Sequence, residues 1–336
     1  MKMINKLIIS LSCILLAGCN GSLPDSGEQQ GEGEPIELSF NLYNAVVSKA
    51  DEKTKPTVKM AVGTAFRIYA FKAGETDLTK PIASAVYTVK DENGKSEGNL
   101  SLYRGSYDFY MISNNTNTAP VLDSGANSIT VDNGNDFMYN IITNEVIQPE
   151  KPGENKMTVS LRTPFSRLGA KIDLSVKAKS NSPVPVSDLK VQSITIKNLS
   201  SPLCYKLGEK DWSTDNNPSY TETNEHMVTG FSMPEFATQP HDNLNPVVLL
   251  PVDGLTDLLF ELVLNVTYTG KDNNGQVIIL SDNFTYKASV SKALITGMRY
   301  KFDFTLTFFG ILKPGDMTVS LLDYTEEDLS TDQVGE

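Results

Sequence analysis

Residues 299–309 have the sequence RYKFDFTLTFF, and this stretch decides the fold class. Apolar side chains occupy every second position, and charged or polar side chains lie between them. Successive side chains of a β-strand point to opposite faces, so this period of two predicts a strand with one buried and one solvated face. The residues predicted to be buried are Tyr300, Phe302, Phe304, Leu306 and Phe308.

The same alternation recurs along the chain. It is longest in 258–268 (LLFELVLNVTY), and shorter examples occupy 36–42, 107–111, 157–161 and 172–176. Two apolar runs without alternation predict strands that are buried more fully, 66–71 (FRIYAF) and 247–250 (VVLL). Helical periodicity is nearly absent. Many short strands separated by turns predict an all-β chain of antiparallel β-sandwiches.

Three Asp/Asn-rich stretches that end in glycine separate predicted strands. They are Asp91–Gly94, Asp132–Gly134 and Asp272–Gly275. Such residues tolerate positive φ, and we interpret all three stretches as hairpin turns. A calcium loop is the alternative interpretation, but none of them has the alternating acidic ligands and the final Glu that such a loop requires.

The N-terminal residues have the sequence pattern of an export signal. Lys2 and Lys6 precede an uncharged run, residues 7–18, which as a helix would extend about 18 Å and is too short to span a bilayer of about 30 Å. This pattern predicts a signal peptide over residues 1–18. Residues 16–19, LAGC, resemble the bacterial lipobox, in which signal peptidase II cuts before the cysteine. Cys19 is therefore the predicted lipidation site; an ordinary signal peptide with an incidental cysteine is the alternative.

Composition divides the rest of the chain. Residues 19–35 are polar and rich in Gly, which predicts a flexible tether. The length of 336 residues suggests two domains, which we place at 36–165 and 166–325, followed by an acidic tail at 326–336. The net charge of −12 argues against binding to nucleic acid or to anionic membranes.

The sequence contains little that predicts catalysis. The two histidines, His226 and His241, are too few for a zinc site without distant carboxylates, and we expect them to be exposed loop residues. We find no catalytic motif in a sequence context that fits an active site. The sequence therefore predicts no enzyme, no metal and no cofactor beyond the lipid on Cys19.

The order of features resembles the fimbrillin family of Bacteroidetes, the lipoprotein precursors of type V pili. A lipobox and a polar tether precede IELSFNLYNAVV at 36–47 and a charged break at 49–59. FRIYAFKAG, MTVSLRTPFSRLGAKIDLSV (157–176), VQSITIKNLSSPLCYKL (191–207) and LITGMRYKFDFTLTF (294–308) follow in the family's order. The resemblance covers most of the mature chain.

The resemblance implies two tandem transthyretin-like, Greek-key β-sandwich domains and assembly by donor-strand β-augmentation. In that family a trypsin-like protease removes the first strand, and a strand of the next subunit fills the groove. The leaving strand here would be 36–47. Its plugging side chains would be Ile36, Leu38, Phe40 and Leu42. The implied partners are other pilus subunits, in a homo- or hetero-polymer, and a possible surface ligand; the implied location is the outer membrane and the fimbrium.

The chain departs from the family pattern at the cut. The family presents an arginine after the first strand, but no arginine precedes Arg67, which lies in a predicted strand. The available basic residues are Lys49, Lys53, Lys55 and Lys59. Either a lysine serves, or the subunit keeps its lipid and first strand and acts as an anchor; the lysines are otherwise a solvated loop. The segment 311–324 is a donor strand or, as we favour, the last strand of the second domain.

A surface glycan-binding lipoprotein of a nutrient-uptake system is the alternative function. Such modules present exposed aromatic side chains to sugar rings. The only tryptophan, Trp212, lies in a polar segment, and Tyr205 and Tyr220 are the aromatic residues that could join it.

Overall fold

The computed structural model describes residues 33–42, 60–245, 247–254, 256–271, 274–308 and 317–323, the last of these as backbone alone. Within these ranges the chain consists of strands, turns and irregular segments, without helices. The all-β class predicted from the alternation is therefore confirmed. A helix long and apolar enough to cross a bilayer is not found in the described part of the chain.

The strands of the first half come in chain order. They are β1 (Ile36–Asn41), β2 (Ala65–Lys72), β3 (Ala83–Val89), β4 (Ser96–Gly98), β5 (Leu100–Leu102), β6 (Gly105–Ser113), β7 (Ser128–Val131), β8 (Met138–Ile147), β9 (Lys156–Ser160) and β10 (Ser166–Arg167). They form a three-stranded sheet, β5-β1-β9, and a six-stranded sheet, β10-β8-β6-β2-β3-β4. Side chains from both sheets enclose one hydrophobic cluster drawn from residues 36–165.

The described residues of the second half form twelve strands. They are β11 (Ala170–Ala178), β12 (Val186–Lys197), β13 (Leu199–Ser200), β14 (Leu203–Lys206), β15 (Tyr220–Thr221), β16 (His226–Val228), β17 (His241–Asp242), β18 (Val247–Leu249), β19 (Asp257–Lys271), β20 (Val277–Ser291), β21 (Arg299–Leu306) and β22 (Met317–Asp323). The main sheets are β17-β11-β21-β22, with β18 also on β11, and β16-β12-β19-β20. They enclose a second cluster drawn from residues 170–308.

The deciding stretch forms β21, and all five of its predicted inward residues are buried. Tyr300 and Phe308 are 3% and 6% exposed, and the three between them are fully buried. β19 behaves in the same way, with every second residue from Leu258 to Tyr268 buried. The pattern of period two thus determined which face of each strand meets the core.

Among the strands of the described residues, two pairs are parallel and the other pairs are antiparallel. β1 runs parallel to β9, and β11 runs parallel to β21 over eight residue pairs. Parallel neighbouring strands need a long connection. In both pairs, the connection between the two strands includes most of the residues of that half of the chain. Alternation specifies the face of a strand but not its partner, so the sequence did not predict these pairs.

The two halves of the chain are also linked by strand pairing and by a common hydrophobic cluster. β7 of the first half pairs with β14 of the second half over four residue pairs. A third hydrophobic cluster draws residues from both halves, among them Phe71, Phe137, Tyr205 and Leu250. The described residues, which lie between 33 and 323, belong to one compact unit. The division into two domains at residue 165 stays a prediction.

Two of the three predicted hairpin turns are confirmed. Asp91–Gly94 joins the paired strands β3 and β4. The strands on either side of the other predicted turn, β19 and β20, pair antiparallel over their whole length, as a hairpin requires, although Asp272 and Asn273 themselves lie outside the described residues. The hairpin predicted at Asp132–Gly134 is wrong, because that turn leads from β7 to β8, which lie in different sheets. The turn docks instead on the second half of the chain.

Candidate functional site

The first strand, β1, lies in the middle of its sheet with a neighbour on each side. It pairs antiparallel with β5 over residues 36–38 and parallel with β9 over residues 37–41. Beyond its end, the Leu42 N–H donates to the carbonyl of Gly94 at 2.8 Å. A strand paired on both edges satisfies backbone groups of two neighbours, so its departure would leave the facing edges of β5 and β9 open.

The inner face of β1 carries the four predicted plugging side chains. Ile36 and Phe40 are fully buried, and Leu38 and Leu42 are 1% and 7% exposed. The ring of Phe40 lies edge-on to Tyr87 and to Phe109, with centroids 5.0 and 5.5 Å apart. Such edge-to-face pairs add to the hydrophobic gain from burial. The strand thus fills the centre of the first hydrophobic cluster; its removal in the mature protein stays a prediction.

Two buried hydroxyl groups bind the backbone of β1 from outside its own sheet. The Tyr87 hydroxyl donates to the carbonyl of Leu38 at 2.6 Å, and the Ser96 hydroxyl donates to that of Phe40 at 2.6 Å. Burial raises the pKa of Tyr87, which keeps its hydroxyl protonated and able to donate. Gly98 permits this ring position, because a Cβ there would lie 2.5 Å from Cγ of Tyr87.

The outer face of β1 makes weaker contacts. Glu37 forms an ion pair with Lys156 at 3.5 Å, and both side chains are more than half exposed. The Ser39 hydroxyl donates to that of Thr158 at 3.1 Å. Exposed ion pairs contribute about 0–1 kcal/mol to stability. The strand is therefore held mainly by its buried face and its backbone.

Five other predicted site residues lie outside the described residues. They are the lipidation site, Cys19, and the candidate cleavage residues Lys49, Lys53, Lys55 and Lys59. Lipidation and cleavage both stay predictions.

A sequence model of a family described as fimbrillin-like matches residues 49–320 of the chain. The chain belongs to the fimbrillin-like family. The family resemblance derived from the sequence is thus confirmed. Membership of this family favours a structural role for the protein over a catalytic one.

This fimbrillin-like chain is similar to several solved structures. A protein from Bacteroides fragilis, described as a candidate cell adhesion protein, matches with a TM-score of 0.55 and 14% identity, over 90% of this chain and 100% of its own. A fimbrial protein from Bacteroides vulgatus matches at 0.49 and 12%, over 86% and 100%. The fimbrial anchor protein Mfa2 from Porphyromonas gingivalis matches at 0.37 and 10%, over 86% and 98%. The curated proteins contain no match.

The C-terminal strand of the fimbrillin-like chain is placed within its own second half. β22 pairs antiparallel with β21, from Leu306 opposite Met317 to Tyr300 opposite Asp323. This is the arrangement expected of a last strand of the second domain. Because β22 lies at the edge of its sheet, one side of its backbone has no partner strand among the described residues.

The histidines of the fimbrillin-like chain are structural. His241 is 1% exposed, with its Nδ1 3.1 Å from the carbonyl of Val176 and 3.0 Å from that of Gln239. The expectation that both histidines are exposed loop residues is wrong, because His226 also lies in a strand, β16, and is half-buried. In the part of the chain that the structure describes, no three His, Cys, Asp or Glu side chains are placed to hold a metal ion.

His226 lies where the Asp132–Gly134 turn docks. The Asn133 side chain donates to the carbonyl of Ser200 at 2.8 Å and accepts from the Leu250 N–H at 2.9 Å. A Cβ at Gly134 would lie 2.5 Å from the ring of His226, so only glycine lets the turn approach this closely. Burial lowers the pKa of His226 below its ordinary value of 6.5.

Stability is expected to fall in mild acid because of His226. Its pKa is lower in the folded than in the unfolded chain, so the unfolded chain binds more protons as the pH drops below about 6.5. The stability that neutral His226 contributes is fully present above about pH 6.5, and it is lost progressively as the pH falls toward the lower pKa of the folded state. Urea denaturation midpoints measured from pH 8 to pH 5 should show this loss, and the His226→Gln variant should show a flatter profile. Identical slopes for both proteins would contradict the assignment to His226.

Proposed function

We propose that this fimbrillin-like chain is a structural and adhesive subunit of a cell-surface pilus. Cys19 would carry the lipid that holds the precursor at the outer membrane, and residues 19–35 would space the folded part from it. The partners would be other pilus subunits, joined in a homo- or hetero-polymer. Family membership supports the pilus role, and the lipobox supports the export route.

We infer that assembly occurs by exchange of β1. The observation that carries this proposal is that the first strand forms the centre of a sheet and fills a hydrophobic core through four alternating side chains. An extended strand from another subunit could reproduce the same backbone bonds and fill the same pockets, which is β-augmentation. A head-to-tail contact of this kind yields an open polymer when the rotation between successive subunits does not close a ring.

The missing arginine bears on how β1 would be released. Arg67 lies in β2, and its Nε donates to the carbonyl of Pro120 at 2.9 Å. A protease acting in an extended linker would need one of the lysines at 49, 53, 55 or 59 instead. A subunit that is not cut would keep β1 and its lipid, and would then serve as an anchor or accessory component.

Proteolytic release is tested on protein from outer membranes. Intact mass and N-terminal sequencing should locate a new start shortly after one of the four lysines, and the trimmed protein should form ladders on an unboiled gel. A matched variant with all four lysines replaced by glutamine should keep acylated Cys19 as its N-terminus and form no ladder. If the natural chain also starts at Cys19 and stays monomeric after trypsin treatment, the shaft role is wrong and the anchor role becomes the better proposal.

A further inference from the structure

β1 contacts both sheets of the first half. Its pairing with β5 covers residues 36–38, and Leu38 lies opposite Leu100, the first residue of β5. Further along, Asn41 forms an antiparallel bridge with Lys95, the residue before β4 of the six-stranded sheet. On this edge, the C-terminal part of β1 therefore meets the six-stranded sheet rather than β5.

Two hydroxyl groups of the six-stranded sheet bind β1 at this junction. Tyr87 lies in β3 and Ser96 in β4, and their hydroxyls donate to the carbonyls of Leu38 and Phe40, each at 2.6 Å. Tyr87 is fully buried and Ser96 is 2% exposed. A buried carbonyl that loses a donor cannot turn to water instead, so these two bonds resist the departure of the strand.

Both donors are in place before a strand enters. The ring of Tyr87 stacks on Phe66, with centroids 5.9 Å apart, and its other contact, Gly98, leaves no room for the ring to shift. Burial raises the pKa of Tyr87, so its hydroxyl keeps its proton. A donor that is already ordered loses little entropy when it binds a carbonyl.

The chemistry of the contact separates these hydroxyls from the apolar pockets. Every residue of a chain carries a main-chain carbonyl, so the two donors can bind any extended strand that lies in the β1 position. The pockets for alternate side chains depend on the sequence of that strand. The hydroxyls therefore affect how long a strand stays, and the pockets affect which strand is chosen.

The bonds also lie at the end of β1 that a cut would free. The four candidate cleavage lysines follow this end in the sequence. Strand ends fray before strand centres, so a strand released by a cut there would open from Leu42 backwards. That opening has to break the bond from Ser96 to the Phe40 carbonyl, and then the bond from Tyr87 to the Leu38 carbonyl.

We propose that Tyr87 and Ser96 form a hydroxyl latch, which positions the strand that lies between β5 and β9 and slows its release. For β1 itself, the latch acts within a single chain. For a strand supplied by another subunit, the inference rests on the strand exchange proposed above.

Hydrogen exchange of the full-length protein in detergent, followed by mass spectrometry, tests the latch on β1. Exchange in residues 36–42 reports on opening of β1, and exchange in β19 reports on unfolding of the whole chain. Tyr87→Phe and Ser96→Ala each remove one hydroxyl. Relative to β19, each variant should open residues 36–42 about two- to tenfold more often, and the double variant about tenfold or more.

Matched controls remove the same groups from buried sites elsewhere in the first half. Tyr69→Phe removes a hydroxyl that accepts from the Leu122 N–H at 3.1 Å, and Ser113→Ala removes one that donates to the Ala65 carbonyl at 2.7 Å. Neither bond involves β1, so both controls should leave the ratio of the two exchange rates unchanged. The latch is overturned if its variants leave the ratio unchanged, or if the controls raise it equally.

Ladder formation is scored separately, because it tests strand exchange. A higher ratio in the Tyr87→Phe and Ser96→Ala variants supports the latch even if no protein forms ladders. Ladders from the natural chain with no change of the ratio in these variants would leave strand exchange standing and overturn the latch.

Discussion

Replacement of Phe40 by alanine is expected to lower the free energy of unfolding by about 3–5 kcal/mol, the usual cost of truncating a buried aromatic ring. Phe40 is fully buried in the first hydrophobic cluster and contacts the rings of Tyr87 and Phe109. Tyr87 lies in β3 and Phe109 in β6, both strands of the facing six-stranded sheet. The cavity left by the truncation would therefore lie between the two sheets. Urea denaturation of the full-length protein measures the loss.

Glu37→Ala is the matched control on the same strand. Its side chain points to solvent, and its ion pair with Lys156 at 3.5 Å is exposed, so the change should stay within about 0.5 kcal/mol. Equal effects from the two variants, or a loss below about 1 kcal/mol for Phe40→Ala, would show that β1 does not plug the core in solution.

The sequence was sufficient to predict which faces of the long strands are buried. β19, β21 and β1 each alternate over at least six residues, and in each the predicted apolar row is buried. The run VVLL at 247–250, where alternation is absent, is also buried throughout. In these cases burial depends on local period and hydrophobicity, which the sequence displays directly.

Features that depend on residues far apart in the chain were not predicted from the sequence. His241 looked like a loop residue, but its ring nitrogen meets a carbonyl of Val176, 65 positions earlier. The Asp132–Gly134 turn has residues typical of a hairpin turn, yet the side-chain amide of Asn133 binds Ser200 and Leu250 and the turn does not join paired strands. A turn composition specifies backbone angles and not the sheet that receives the next strand. The parallel pairing of β1 with β9 and of β11 with β21 was not predicted either, because the residues of a strand do not specify its partner.

The candidate site was predicted in part. The alternation of residues 36–42 gave the four buried side chains of β1, but not the hydroxyls of Tyr87 and Ser96 that bind its backbone. Those donors lie 49 and 56 positions further along the chain. A serine and a tyrosine in separate short strands carry no local signal of this use. The fixed position of Trp212 was likewise not visible, since its indole N–H donates to a backbone carbonyl, that of Leu168.

Once β1 has been removed, its place should accept the same sequence supplied as a separate peptide. The test uses the trimmed chain, freed of β1 after cleavage between residues 43 and 59, and a synthetic peptide of residues 36–47. The peptide can restore the pairing with β5 and β9 and refill the pockets of Ile36, Leu38 and Phe40. It should bind saturably and suppress the ladders formed by the trimmed chain, because peptide and neighbouring subunit compete for one slot.

A Phe40→Ala peptide tests whether the pockets, rather than the backbone alone, set the affinity. A cost of about 3–5 kcal/mol corresponds to binding weaker by roughly two to four orders of magnitude. The Glu37→Ala peptide is the control and should bind within about fivefold of the natural peptide, since only an exposed ion pair is lost. If the natural and Phe40→Ala peptides bind alike, the edges of β5 and β9 capture strands without regard to side chains. If neither binds and the ladders persist, subunits join through another surface, and the exchange of β1 is not the basis of assembly.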